Sequence, residues 1–148
     1  MKISTKGRYG LRALVDLVLY SQDRHVALTE IATRQKISEI YLEQIFSTLR
    51  KRGIVNSVKG PLGGYFLAHK AKEITVGKVL RALEGELSVI DDQVKEVFDP
   101  HSITYCIKTQ VWEKIDEQVN HLADSYTLED LAQEYRKKMD IPTDMYFI

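Results

Sequence analysis

Ser38-Glu39-Ile40-Tyr41-Leu42-Glu43-Gln44-Ile45-Phe46-Ser47-Thr48-Leu49-Arg50-Lys51-Arg52-Gly53 is the stretch that decides the fold. Ile40, Leu42, Ile45, Phe46 and Leu49 recur at the three-to-four spacing of one helix face. Ser38 is a candidate N-cap, because its hydroxyl can accept a backbone N–H from the first turn. Gly53 closes the segment, since glycine adopts the left-handed conformation that ends helices. Just upstream, Lys36-Ile37 reads as a turn and Glu30-Ile31-Ala32-Thr33-Arg34 as a short helix with Thr29 as its N-cap. Two helices joined so tightly make a helix-turn-helix. Before them, Leu11, Leu14, Val15, Val18 and Leu19 predict an amphipathic helix from Thr5 to about Tyr20, with Lys6, Arg8 and Arg12 toward its start.

Beyond Gly53 the period changes. Ile54 to Val58 and Tyr65 to Ala68 are short β-type runs joined by Lys59-Gly60-Pro61-Leu62-Gly63-Gly64, which predicts a hairpin with a glycine-rich tip. A hairpin directly after the second helix is a wing. Thr75 caps a further helix with Val76, Val79, Leu80 and Leu83 inward, ending near Gly85. Residues 86 to about 103 show little periodicity and carry Asp91-Asp92 and Asp99-Pro100, as a linker or sensor loop would. Ile107, Val111, Ile115, Val119 and Leu122, with Trp112 beside them, define a long amphipathic helix whose stripe is expected to pack on a second copy across a two-fold axis. Thr127-Leu128-Glu129-Asp130 resembles a capping box opening a last helix to about Lys138, followed by a tail broken by Pro142. The expected class is mainly α with a small β-hairpin wing, a winged helix-turn-helix plus a long dimerisation helix. Its divisions are 1–84 for DNA binding, 85–104 for the loop, 105–138 for the dimerisation and final helices, and 139–148 for the tail.

The 148 residues carry 21 basic and 21 acidic side chains. The zero balance conceals an asymmetry: residues 1–80 hold 14 basic and 6 acidic residues, and the remainder holds 7 and 15. Either the first part meets a polyanion or the two parts attract each other. No apolar run approaches the roughly 20 residues of a membrane-spanning helix, and the charged start lacks the pattern of a secretory signal, so the expected address is cytoplasmic with no membrane contact. One cysteine, Cys106, allows neither an intrachain disulfide nor a cysteine-based zinc site. No nucleophile elbow, phosphate-binding loop or spaced ligand set argues for an enzyme.

The expected partner is therefore double-stranded DNA. In a helix-turn-helix the start of the second helix reaches base edges while flanking segments touch phosphate. That start supplies Ser38, Glu39, Ile40, Tyr41 and Glu43. A carboxylate such as Glu43 is useful near DNA only as an acceptor, for instance from a cytosine amino group; otherwise it is a solvated surface charge. Lys59 with Gly60, Gly63 and Gly64 forms a basic tip whose missing side chains are expected to let the backbone come close to DNA, with the cation suited to a narrow minor groove. Lys2, Ser4, Lys6, Arg8, Arg50, Lys51 and Arg52 are candidates for the phosphate backbone.

Lys2-Ile3-Ser4-Thr5-Lys6-Gly7-Arg8-Tyr9-Gly10-Leu11, Tyr41-Leu42-Glu43-Gln44 with Leu49-Arg50, and Gly60-Pro61-x-Gly63-Gly64-Tyr65-x-Leu67 together strongly resemble the winged-helix regulators grouped with IscR, NsrR and CymR. The resemblance spans nearly the whole chain. It implies a homodimeric transcription factor on partly palindromic operators, with Ser38, Tyr41 and Glu43 in the recognition helix. Lys59 falls where the family commonly has arginine, which keeps the charge but loses the planar fork. In the family's cluster-binding branch three cysteines precede the dimer helix. Here only Cys106 remains, with Val94 and Pro100 near where partners would sit and Thr109 in place of a histidine. The expectation is no iron–sulfur cluster, leaving Cys106 as a redox-responsive thiol or a packed residue. The Lys2–Leu11 run, Thr127-Leu128-Glu129-Asp130-Leu131 and the Met145-Tyr146-Phe147-Ile148 tail place the chain closer to the cluster-free, CymR-like branch. That implies a repressor of cysteine and sulfur metabolism whose Tyr146, Phe147 and Ile148 reach cysteine synthase; the same tail could instead fold back on its own dimer. The alternatives are a cluster- or thiol-based redox or nitric-oxide sensor of the same family, and a winged-helix interaction protein that does not bind DNA.

Overall fold

The computed structural model describes residues 1–90 and 99–145, with side chains as far as Met139. Helix α1 spans Thr5–Tyr20, α2 Leu28–Gln35 and α3 Glu39–Lys51. Strands β1 (Val55–Val58) and β2 (Gly64–Leu67) pair antiparallel with Val55 opposite Leu67 and Val58 opposite Gly64. Helix α4 covers Val76–Glu84. A long rod follows, built of α5 (Ile103–Ile107), one π turn (Lys108–Trp112) and α6 (Glu113–Ser125), and α7 (Leu128–Met145) closes the chain. No helix among the described residues is long and apolar enough to cross a membrane.

One core unites these elements. Leu14 and Leu17 of α1, Ile31 of α2, Leu42, Ile45, Phe46 and Leu49 of α3, and Val79 of α4 are all fully buried together. Leu128 and Ala132 of α7 belong to the same core. The chain returns to it through a short bridge in which Leu128 N–H donates to the Ile74 carbonyl and Val76 N–H to the Tyr126 carbonyl, each at 2.9 Å. The expected division at residue 84 is thus not a break in packing. The wing is seated by Phe46 and Tyr65, whose rings meet edge to face at 5.0 Å. Val26 and Tyr65 exchange two 2.8 Å backbone bonds that set Val26 beside β2 as an isolated antiparallel bridge.

Caps fall largely where side-chain chemistry predicts. Ser4, Ser38 and Thr75 cap α1, α3 and α4, and Gly53 takes φ +75° beyond α3. Thr127 and Asp130 exchange the two bonds of a capping box, at 2.9 and 3.1 Å.

Four expectations need correction. Thr29 is not an N-cap: α2 begins at Leu28 with Ala27 in the cap position and no side-chain bond. The bridge at Val26 fixes the chain as it leaves the sheet, so the helix starts immediately, and Glu30 complements its dipole. Ile40 does not share the buried stripe of α3 but is 70% exposed. The long helix starts at Ile103, capped by the Ser102 hydroxyl, four residues before the expected Ile107. Finally, α7 continues through Pro142 to Met145: a proline within a helix loses one backbone bond and crowds the preceding turn, but need not end it.

Candidate nucleic-acid interface

The start of α3 presents Ser38, Glu39, Ile40 and Glu43 to solvent. Tyr41 is half-buried because its ring meets Tyr9 of α1 edge to face, with centroids 6.0 Å apart. Tyr9 is in turn covered by the Arg12 guanidinium at 4.8 Å, and Arg8 stands 6.0 Å away. Arg12 also donates to the Gln35 carbonyl at 2.8 Å. Tyr9 and Arg12 thus brace α1 against the tight turn and the first turn of α3, a role that sequence reasoning missed. Its signal was the pair Arg8 and Arg12, which share a helix face at i, i+4 on either side of the tyrosine.

Cations lie along α3 and at its far end. Lys6 donates through Nζ to Thr48 Oγ1 at 3.4 Å, which lays it along α3. Lys2, Ser4 and Arg8 are exposed at the head of α1, and Arg50, Lys51 and Arg52 are exposed at the far end of α3. On the wing, Lys59, Gly60, Pro61 and Leu62 form the exposed tip. Gly63 and Gly64 are half-buried instead: a Cβ on Gly63 would overlap the Val58 carbonyl, and one on Gly64 would overlap the Val26 backbone. Close internal packing explains these two glycines without any approach of the backbone to DNA. His25 reaches the tip as well, its Nε2 hydrogen-bonded to the Leu62 carbonyl.

Beneath the surface, Asp16 anchors the helix pair. It is 1% exposed, and its two oxygens accept from Arg34 Nη2 (2.8 Å), Arg34 Nε (3.0 Å) and Gln35 Nε2 (2.8 Å). Hydrogen bonding to Asp16, ahead of the contribution of Glu30, raises the Arg34 pKa above its ordinary value. Arg34 also stacks 3.8 Å from the Tyr20 ring centre. Glu30, bonded to Arg24 and Arg34, is held below the usual carboxylate range, chiefly by the Arg24 hydrogen bond.

The expected dimer face is open. Ile107, Val111, Trp112, Ile115 and Leu122 are exposed, Val119 is half-buried, and Ile103, one turn earlier, is 80% exposed. No residue of α5, the π turn or α6 is buried. The stripe runs into an apolar groove of about 390 Å³ lined by Ile3, Leu11, Leu80, Val119, Leu122 and Leu131 among others. On its other side α6 is clamped to α4: Arg81 donates to both oxygens of Asp124 (2.9 and 2.6 Å) and to Asn120. The hydrogen bond from Arg81 holds the Asp124 carboxyl below its ordinary range and raises Arg81 in turn. Tyr146, Phe147 and Ile148, expected to reach cysteine synthase, lie outside the described residues, as do Val94 and the Asp91-Asp92 pair.

The chain matches the Rrf2 family model, described as an iron-dependent transcriptional regulator, over residues 3–134. It is 42% identical over 132 residues to the HTH-type transcriptional regulator CymR of Bacillus subtilis (strain 168), covering 89% of this chain and 90% of that protein. Identity to the HTH-type transcriptional regulator IscR of Yersinia pseudotuberculosis is 40% over 132 residues, covering 89% and 79%. The solved structure of CymR, the global cysteine regulator of B. subtilis, superposes with a TM-score of 0.76 over 90% of this chain and 98% of that one, at 40% identity.

The family description names iron, and the donor set at Cys106 can be tested against it. Cys106 is exposed and is the one thiol of the whole sequence. The Thr109 hydroxyl is engaged with the Tyr105 and Cys106 carbonyls at 3.1 and 3.3 Å. Among the described residues no group of three or more His, Cys, Asp or Glu is gathered to hold a metal ion. One thiolate per chain does not fit an iron–sulfur cluster, which takes four protein ligands, mostly cysteines.

Proposed function

Because this chain belongs to the Rrf2 family of transcriptional regulators, a family of non-enzymes, we propose that it acts as a homodimeric DNA-binding repressor of cysteine and sulfur metabolism genes, without an iron–sulfur cluster. The observation that carries the reading is the solvent-facing start of α3, with Glu43 and Ile40 exposed, in a chain that also exposes the cations of α1 and the Lys59 tip. Glu43 is the acceptor for a cytosine amino group, and Ile40 is an apolar neighbour suited to a thymine methyl. The likeness to a cysteine regulator of B. subtilis supports the metabolic assignment. Homodimerisation is supported by the exposed apolar stripe of α5 and α6 and by the apolar groove beside it.

The test is an electrophoretic shift with duplexes enriched by the wild-type protein from a randomised library. Glu43→Ala should relax base preference at one position by about tenfold while overall affinity changes little. Lys59→Ala should weaken all sequences together and flatten the salt dependence by about one unit of slope. Equal losses on every sequence for both variants would reject these roles.

Protein prepared without oxygen should show no visible absorption, and Cys106→Ser should bind the enriched duplex with unchanged affinity. Stoichiometric iron and acid-labile sulfide would overturn the cluster-free assignment.

A further inference from the structure

We propose that Glu84 is a positioning residue for DNA binding: its carboxylate locks the arm that carries Lys2, Ser4 and Lys6 and ties that arm to the segment leading to the dimer helix. The inference rests on the DNA-binding reading above. A carboxylate at the cationic head of α1 is electrostatically out of place beside phosphate unless its acceptor capacity is needed there. Glu84 Oε1 accepts from Ser4 N (3.0 Å), Ser4 Oγ (2.6 Å) and Gly7 N (3.0 Å). The Ser4 hydroxyl is only 3.4 Å from the same Gly7 N–H. Glu84 therefore satisfies the start of α1 from across the fold, and its charge complements the helix dipole. Gly7 makes room for it, since a Cβ there would overlap Oε1.

Glu84 is also the last residue of α4, and the next few residues are bonded to the rod. Leu87 accepts from Asn120 Nδ2 at 2.9 Å. Ser88 Oγ and Val89 N donate to the two oxygens of Asp116 at 2.7 and 2.8 Å. Arg81, one turn before Glu84, binds Asp124 and Asn120. The end of α4 is thus held on one side by the dimer helix and holds, on the other, the arm that meets phosphate. Residues 87–89 connect Asp116 and Asn120 of the rod to the end of α4 that carries Glu84.

The experiment measures affinity and salt slope for the enriched duplex, on protein shown to be dimeric and fully folded at the assay temperature. Glu84→Ala should weaken binding roughly tenfold and flatten the slope by about one unit, as expected for one lost phosphate contact. Glu84→Gln, whose amide oxygen can accept the same three bonds, should restore most of both. Asp116→Ala should weaken binding several-fold in the wild-type background and have little further effect on Glu84→Ala, since the two act in series. Tighter or unchanged binding by Glu84→Ala would mean that the carboxylate only repels phosphate, and would overturn the proposal. Additive losses would overturn the link to the dimer helix. A wild-type protein that enriches no duplex would overturn the DNA-binding reading itself.

Discussion

Asp16→Ala should lower the free energy of unfolding by about 3 kcal/mol, among the largest losses open to a single substitution in this chain. The carboxylate is almost completely buried and accepts three hydrogen bonds, two of them from one guanidinium in fork geometry. Removing it leaves Arg34 with Glu30, at 3.3 Å, as its remaining carboxylate, and the Arg34 side chain keeps 26% exposure and can turn partly to water. That escape places the cost at the lower end of what broken buried pairs show. Asp16→Asn should recover part of the loss, because its oxygen still accepts while its amide opposes a guanidinium N–H. Urea unfolding followed by circular dichroism reads both. A loss under about 1 kcal/mol for the alanine variant would mean that the α1–α2 junction is held by its apolar contacts instead.

In the homodimer proposed above, Ile115→Glu should separate the two copies and cost operator affinity about a hundredfold or more. A two-fold interface repeats every contact, so one substitution places two carboxylates in an apolar seam. A monomer that reaches one half-site loses the high effective concentration through which the second half-site is engaged. Light scattering should show the mass of a single chain, while unfolding of the isolated chain stays cooperative, because no residue of α6 is buried in the single chain. A dimer that survives with unchanged affinity would place the interface elsewhere.

Features written in local chemistry were legible from the residues alone. The caps at Ser38 and Thr75, the Thr127–Asp130 box, the hairpin and the exposed Glu43 each depend on neighbours within a few positions. Features set by distant contacts were not. Ala27 begins a helix because Val26 is pinned by Tyr65. Gly63 and Gly64 read as openings toward DNA, yet the backbone packed beside them accounts for both. The Glu84 clasp joins residues 80 positions apart, and no pattern in either segment announces it. Ile40, by contrast, could have been set aside locally: two residues from Leu42 it stands about 200° around a helix of 3.6 residues per turn, opposite the stripe of Leu42, Ile45, Phe46 and Leu49.

The π turn at Lys108–Trp112 explains an oddity in the rod's spacing. Ile103, Ile107, Val111, Ile115 and Val119 repeat strictly every four residues. In an uninterrupted α-helix of 3.6 residues per turn, each step of four overshoots a full circle by about 40°, so five such residues would spiral almost to the opposite side. A π turn holds more residues per revolution and winds part of that rotation back midway. The stripe is therefore two short arcs brought into phase by a wider turn, and the seam it offers a second copy is straighter than its spacing alone would allow.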